Sequence, residues 1–281
     1  MGNKQSFELG HVSRTLVLPL WGRAREHRKL HPIISDTKAA DIVDRLNFDF
    51  SALDTDGNKG NQLAWVARAW NIDRALRRFS SRHDETTVVN VGCGLDTTYE
   101  RVDDGEMLWY EIDLPEVIDL RKKLLMENDR RTFIAASVME PDVFDNVKEK
   151  GSVIIIAAGL LYYFNEDEVK TFYQNIKRRF PSAEIVFDAC SPLGMKVANK
   201  KVIAENGMDA AAALNWALKG PRAIHKLGLG LKIIESYPLF KKVMHRIEKP
   251  MRMTARISDF FKILFMMQVT FKENPFEGRA G

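Results

Sequence analysis

The sequence predicts an α/β protein built on a doubly wound, mostly parallel sheet, and two features carry that prediction. From Thr87 onward, short β-branched runs alternate with amphipathic helical segments, the pattern of strands joined by helical crossovers. One run, Val153-Ile154-Ile155-Ile156, is apolar at every position, as a central parallel strand covered on both faces has to be. At 281 residues the chain has the length for one large α/β domain with a helical appendage.

The elements follow in order. Residues 1–82 read as helical. After Ser35-Asp36, the residues Ala39, Ile42, Val43 and Leu46 recur on one helical face. A second helix is predicted over Gln62–Phe79, with Trp65, Ala69, Ile72, Leu76 and Phe79 as its stripe. Strands are predicted over Thr87–Val91, Leu108–Ile112, Thr132–Ala135, Val153–Ala158 and Glu184–Asp188. Pro115 sits just inside the helix that follows the second strand. Asn165 caps the helix after the fourth, with Glu166, Asp167 and Glu168 in its first turn and Lys177, Arg178 and Arg179 in its last. Val169, Phe172, Tyr173, Ile176 and Phe180 give that helix an apolar face, and Pro181 ends it. Beyond Cys190 the pattern loosens into a helical insertion over Ser191–Gly230. Strands at Leu231–Ser236 and Met267–Phe271, with a helix over Ile257–Phe265 between them, finish a sheet of seven.

Composition narrows the class of protein. A hydrophobic fraction of 45% with 28% charged residues is that of a folded globular chain. The longest apolar run, Val153 to Phe164, is too short to span a bilayer, so no membrane partner is expected. Met1-Gly2-Asn3-Lys4-Gln5-Ser6 fits a short myristoylation pattern, which is not taken as an anchor. The two cysteines, Cys93 and Cys190, indicate a reducing cytoplasm and free thiols. Together with six scattered histidines they make no metal-ligand spacing, and no metal is expected. The net charge of +4 is unevenly spread: residues 191–281 hold 16 Lys and Arg against 7 Asp and Glu, and residues 1–190 hold 26 against 31. A basic C-terminal third attracts anionic substrates or is simply solvated. No aromatic and basic residues interleave as single-strand binders require, so nucleic acid is not an expected partner. The sequence does not report on oligomeric state.

The strongest local signal is Val88-Val89-Asn90-Val91-Gly92-Cys93-Gly94-Leu95-Asp96-Thr97. A strand runs straight into Gly-x-Gly, and Asp113 follows at the end of the next strand. Glycines there let the backbone turn tightly and approach a ligand, and the acid accepts hydrogen bonds from ribose hydroxyls. A nucleoside cofactor is therefore expected, with a helix-capping Asp in a tight turn as the alternative. A dinucleotide fingerprint wants a third glycine, where this chain has Thr97. S-adenosylmethionine has no pyrophosphate and needs no such glycine, so the methyl donor is the expected cofactor.

These residues resemble the leucine carboxyl methyltransferase family, in particular its polyketide-type, tetracenomycin-like O-methyltransferase branch. Val88 to Val102 (VVNVGCGLDTTYERV) is similar to the family's cofactor loop, and Tyr110 to Val117 (YEIDLPEV) to its second-strand motif. Ala158 to Phe164 (AGLLYYF) is similar to its fourth-strand segment. Ser13–Phe50, with Arg23-Ala24 and Ser35-Asp36, and Gly230–Leu239 extend the resemblance over most of the chain. It implies a Rossmann-like class I methyltransferase fold forming a single domain over residues 1–281. Within it lie an N-terminal cover at 1–82, a cofactor core at 83–190, a substrate-covering insertion at 191–230 and the last strands at 231–281.

The resemblance also implies site residues. Arg68 shares the buried face of Trp65 and Ile72, and an inward guanidinium needs a charged partner. In the family an arginine of this helix holds the carboxylate of the donor's methionine moiety. An internal ion pair or a snorkelling side chain are the alternatives at Arg68. Gly92, Cys93, Gly94 and Asp96 would form the cofactor loop, and Asp113 with Leu114 the ribose site. Ser137, Val138 and Met139 would lie along the adenine. Many methyltransferases carry aspartate where this chain has Ser137, leaving the hydroxyl or the backbone to accept. Ala158 and Gly159 would line the wall near the sulfonium. Many members carry Glu at the position of Ala158, which points to the polyketide-type branch. Tyr162 and Tyr163 are the candidates to touch donor or acceptor, one of them alternatively being core.

Methyl transfer is an in-line displacement in which the protein mainly aligns reactants and excludes water. A carboxylate is already ionised, and the fourth-strand segment offers no Asp, Glu, His or Lys, in keeping with a small acidic acceptor. A phenol would need a base, His225, His245 or a tyrosine of the C-terminal region, each histidine being more simply a surface or structural residue. Trp216 and Met208 of the insertion either meet an aromatic acceptor or are core. The expected activity is O-methylation of a small acidic or aromatic metabolite. Its alternatives are methylation of a protein C-terminal carboxylate, a nicotinamide-dependent oxidoreductase, and a donor-binding protein without catalysis.

Overall fold

The computed structural model describes residues 13–46, 48–54, 56–200 and 213–271. The Met1–Ser6 pattern and Met208 lie outside them. Seven strands form one sheet: β1 (Thr86–Val91), β2 (Leu108–Asp113), β3 (Arg131–Ala135), β4 (Ser152–Ala157), β5 (Glu184–Cys190), β6 (Leu231–Pro238) and β7 (Leu264–Phe271). Their order is β3-β2-β1-β4-β5-β7-β6. The first five run parallel, and β7 is antiparallel to both β5 and β6. Every predicted strand is present.

The helices are α1 (Ser13–His27), α2 (Thr37–Arg45), α3 (Asp56–Ser80), α4 (Thr98–Val102), α5 (Pro115–Leu124), α6 (Glu166–Arg179), α7 (Pro192–Ala198) and α8 (Lys249–Phe260). Side chains alternate across the strands and feed two cores. Val89, Val91, Ile155 and Ala157 pack with Val169, Phe172 and Ile176 of α6. Val88, Ile154 and Ile156 pack on the opposite face with Ile72, Leu76 and Phe79 of α3. Asn165 and Glu168 close α6 with a reciprocal capping box, so the start predicted from the cap residue is the observed one.

Two predicted elements differ. The helix expected over Ile257–Phe265 spans Lys249–Phe260 instead, and the chain turns at Lys262 (φ 49°) into β7. Leu264 and Phe265 pair with Cys190 and Ala189 on β5, and this ladder outweighs a helical periodicity that a short apolar run cannot distinguish from a strand. The insertion expected to be helical contains, among its described residues, one short helix, α7, and a 3-10 segment over Pro221–Leu227.

The N-terminal helices sit over the loop that leaves β1. Leu20, Ala24, Ala39, Ile42 and Val43 share one apolar cluster with Cys93 and Leu95, and with Ile118 and Leu124 of α5. A buried ionic knot locks the same contact. Asp36 caps α2 by accepting the Ala39 amide (2.9 Å). Its other oxygen accepts from Arg23 Nε (2.9 Å), Thr97 Oγ1 (2.7 Å) and Arg101 Nη1 (2.7 Å). Arg101 in turn forks onto Asp73 of α3, at 2.9 Å on each arm. Burial alone would raise the Asp36 pKa; Arg101 and Arg23 outweigh it and hold the carboxyl below its ordinary value. Thr97, standing where a dinucleotide site needs glycine, is thus a structural tie between the loop and its cover.

Because β1 and β4 are neighbours while β2 and β3 lie on the far side of β1, the chain reverses direction across the sheet there. Open α/β sheets bind ligands at this point, beyond the carboxyl ends of the strands.

Candidate active site

The β1 loop is held open by backbone geometry and by a buried charge cluster. Gly92 and Gly94 take φ values of +61° and +46°, a left-handed region that a side chain rarely enters. A Cβ on Gly92 would lie 2.7 Å from Leu160 of the β4 turn. Asp113, at the end of β2, accepts the Gly94 amide at 2.7 Å and the Leu114 amide at 2.8 Å. From below, Arg121 donates to the Gly94 carbonyl at 2.8 Å. Arg121 is itself paired with fully buried Glu111, which also takes Arg131 Nε at 2.6 Å. Burial, more than these two amides can offset, raises the Asp113 pKa above its ordinary value. Burial also drives the Cys93 thiol well upward, which makes it an inert thiol. Asp96 accepts from Asn90 Nδ2 (3.1 Å) and the Thr98 amide (3.3 Å). Burial opposes its charge, but Arg101 and Arg23 hold its pKa low.

Arg68 reaches from α3 to the β4 turn and to β5. Its Nη1 donates to the Tyr162 hydroxyl (2.8 Å) and to Asp188 Oδ2 (3.2 Å). Asp188 Oδ1 accepts the Gly159 amide at 2.6 Å. Burial works against the guanidinium charge, yet the Tyr162 oxygen and the Asp188 carboxylate raise its pKa above the ordinary value. Burial raises the hydroxyls of Tyr162 and Tyr163, Arg68 opposing it in both. Both stay protonated at neutral pH.

Two cavities of similar volume, about 150 and about 140 Å³, meet at this arginine. The first runs from Leu16, Leu18 and Pro19 of the cover, past Gly92, Cys93, Gly94 and Asp96, to Ala158 and Gly159. The second lies toward the insertion, between Asp188, Val197, Leu214 and Leu264. Trp65, Arg68, Tyr162 and Tyr163 line both. No helix among the described residues is long and apolar enough to cross a membrane, and no cluster of His, Cys, Asp and Glu among them has a metal-holding arrangement.

A family model for leucine carboxyl methyltransferases matches residues 17–177, more than half of the chain. The chain belongs to the leucine carboxyl methyltransferase family. It is 28% identical over 236 residues to a tetracenomycin polyketide synthesis O-methyltransferase of Streptomyces glaucescens, covering 84% of this chain and 86% of that one. It is 26% identical over 254 residues to an S-adenosyl-L-methionine-dependent methyltransferase of Gibberella zeae, covering 83% and 84%. A solved DUF574 family protein from Streptomyces avermitilis superposes with a TM-score of 0.59 at 14% identity, covering 92% of this chain and 97% of that one. The fold is thus the Rossmann-like class I methyltransferase fold, and the protein is a methyltransferase.

Of the residues expected in this family site, Arg68, Gly92, Cys93, Gly94, Asp96, Ala158, Gly159, Tyr162 and Tyr163 line the first cavity. Asp113 and Leu114 stand behind it, joined to it by the Gly94 amide. Ser137, Val138 and Met139 are not brought to its wall. Ser137 Oγ accepts the Met139 amide (3.2 Å), its own amide goes to Glu140 (2.8 Å), and Val138 is packed in the core. Both tyrosines line both cavities, and Tyr162 is also buried in a small cluster with Cys190 and Leu214, against which Tyr163 packs. Trp216 is core: it is buried, and its amide and that of Asn215 bond to the Tyr162 carbonyl. His225 and His245 are exposed and line neither cavity.

Asn90, Trp65 and Asp188 also line these cavities, and none of them was expected there from the sequence. Asp188 left a signal: an acid within the apolar run Ile185–Cys190, in a protein whose inward arginine requires a partner. Trp65 left none, because a tryptophan on a core stripe and one on a cavity wall look alike in sequence.

The residues present fit S-adenosylmethionine. Gly92 and Gly94 line the cavity with bare backbone, and a Cβ on either would strike Leu160 or Leu16. A guanidinium is available for a carboxylate, and Asp113 keeps acceptor capacity beyond its two amides.

Proposed function

We propose that this protein transfers a methyl group from S-adenosylmethionine to an oxygen of a small acidic or aromatic metabolite. The observation that carries the reading is the pair of cavities joined at Arg68, Trp65, Tyr162 and Tyr163. One is built on the glycine loop, and the other has no glycine loop and is walled mainly by apolar side chains. Two reactants meeting across a shared wall is what an in-line displacement requires.

S-adenosylmethionine supplies a methyl group on a positively charged sulfur, already reactive toward an oxygen nucleophile. In the proposed site Arg68 binds the donor's carboxylate, a charge-assisted contact for which a planar fork is suited. Asp113 accepts from the ribose hydroxyls, with Leu114 beside it. The backbone of Gly92, Cys93 and Gly94 lies against the donor, and Asp96 keeps that loop in place through Asn90 and Thr98. Ser137, Val138 and Met139 follow β3 outside the wall of the first cavity and are assigned to the adenine end, where the Ser137 hydroxyl, which accepts one amide, or a backbone group supplies the polar contact. Ala158 and Gly159 wall the sulfur. The cover over the loop excludes water.

Tyr162 and Tyr163 act as hydrogen-bond donors rather than bases, given their raised pKa values. The described residues around the second cavity include no histidine, lysine or glutamate, and Asp188 is already paired. A carboxylate acceptor suits that wall: the C–O bond forms as the C–S bond breaks, and no proton has to leave. Neither nucleic acid nor a membrane is needed as a partner, and two buried free thiols suit a cytoplasmic enzyme.

The test is methyl transfer from isotopically labelled donor to a panel of aromatic acids, their phenolic counterparts and a peptide ending in a free carboxylate. Label in the acids supports the reading. Label in the phenols alone moves the acceptor to a hydroxyl, and label in the peptide alone replaces the metabolite with a protein.

A further inference from the structure

The partner of Arg68 does more than neutralise it. Asp188 is an acid on an apolar strand, only 2% exposed, and its two oxygens point to different elements. Oδ2 takes Arg68 Nη1 on α3, and Oδ1 takes the amide of Gly159 in the turn after β4. These two partners also touch each other. Gly159 has a φ of +73°, and a Cβ there would lie 2.8 to 3.1 Å from Nη1, Cζ and Nη2 of Arg68. The guanidinium therefore rests on the glycine backbone, with Asp188 clasping both from beneath. Among the described residues, the protein acceptors of this guanidinium all lie on Nη1. Nε and Nη2 are the donors that a ligand would use. Asp188 borders the second cavity and is not among the residues lining the first.

We propose that Asp188 is a positioning residue for the methyl donor: it fixes Arg68 against the Gly159 turn so that the guanidinium meets the donor's carboxylate, without itself touching the donor. The proposal rests on Arg68 being the holder of that carboxylate. A guanidinium is a long, rotamer-rich cation, and holding it in one orientation before the ligand arrives removes an ordering cost from binding. The pair is also neutral, so the carboxylate of the donor does not have to displace a tighter protein anion from both arms of the fork.

The experiment is calorimetric titration with two ligands, S-adenosylhomocysteine, which carries the carboxylate, and 5′-methylthioadenosine, which lacks it. Asp188→Asn keeps an oxygen for the Gly159 amide and removes the charge. It is expected to weaken S-adenosylhomocysteine about tenfold, the scale of one charge-assisted hydrogen bond, and to leave 5′-methylthioadenosine unchanged. In an Arg68→Ala background, Asp188→Asn is expected to add no further loss. If Asp188→Asn weakens both ligands together, or neither, or adds its full loss to that of Arg68→Ala, the proposal is overturned. If Arg68→Ala alone leaves S-adenosylhomocysteine untouched, the role given to Arg68 fails first, and this proposal with it. Should Asp188→Asn not fold, Asp188→Glu keeps the charge but changes its reach and shifts the same guanidinium from beneath. The same selective loss is then expected, and a parallel loss of both ligands overturns the proposal.

Discussion

The carboxylate of Asp113 closes on the amide of Gly94 at 2.7 Å across two strand ends. The acid that marks a nucleoside site in the sequence is thus part of the loop's own construction, in place before any ligand binds. Its two amide contacts come from Gly94 and Leu114, and its remaining lone pairs are what a ribose would meet.

That arrangement predicts a pH dependence of binding. The Asp113 pKa is raised from 3.8 by burial, and the ionised form, with more acceptor sites and a full charge, holds both amides and the ribose hydroxyls more strongly than the protonated form. Affinity for S-adenosylhomocysteine is expected to fall on acidification, beginning above pH 3.8. In Asp113→Asn, binding is expected to be weaker and to lose this dependence. Titrations at several pH values check it.

Removing the guanidinium of Arg68 deletes the only cation lining the second cavity among its described residues and leaves Asp188 buried and unpaired. Arg68→Ala is expected to cost about 1.5–3 kcal/mol in donor affinity, the range for hydrogen bonds to charged groups. It is also expected to lower the melting temperature, part of which Asp188→Asn restores. Calorimetry and thermal melts measure the two effects separately.

The knot at Asp36 predicts an effect on stability rather than on chemistry. Asp36→Ala takes the carboxylate from buried Arg23 and one of two acids from Arg101, which keeps its fork on Asp73; breaking a buried pair costs about 3–5 kcal/mol, and a loss at the lower end of that range is expected. The sign of its pH dependence follows from a folded-state pKa held below the ordinary 3.8. The contribution is present above that value and is lost as pH falls through the lowered folded value. Denaturant titrations in acid are expected to show a shallower pH dependence for the variant than for the native chain.

At Gly92 the backbone has φ +61°, and a Cβ would meet Leu160 at 2.7 Å. Gly92→Ala is expected to cost about 1–3 kcal/mol of stability and to weaken donor binding. Gly105, whose Cβ would meet no atom within 4 Å, serves as the comparison: its alanine variant is expected to leave donor binding intact.

The fold was legible because period and length agree in the core. The Val153–Ile156 run and the capped helix from Asn165 each admit one reading. The segment around Ile257–Phe265 did not, since its residues serve equally as a helix face or as β7, and only pairing with β5 decides between them. At the site, the loop glycines and Asp113 announce themselves through backbone chemistry that few other residues can perform. Asp188 stands out in its strand, but its pairing with Arg68 is visible only in space, because nothing local links residues 120 positions apart. The stretch Ser137–Met139, expected along the adenine, was the least readable: the Ser137 hydroxyl accepts the Met139 amide, a local contact the sequence does not distinguish from a ligand contact.

The glycine loop under the helical cover is assigned to a methyl donor rather than to a dinucleotide. Titration of the native protein with S-adenosylhomocysteine, run beside NAD, tests that assignment most directly. Saturable binding of S-adenosylhomocysteine with no heat from NAD is the predicted result. Binding of NAD alone would contradict the account, and Gly92 and Gly94 would then belong to a dinucleotide site.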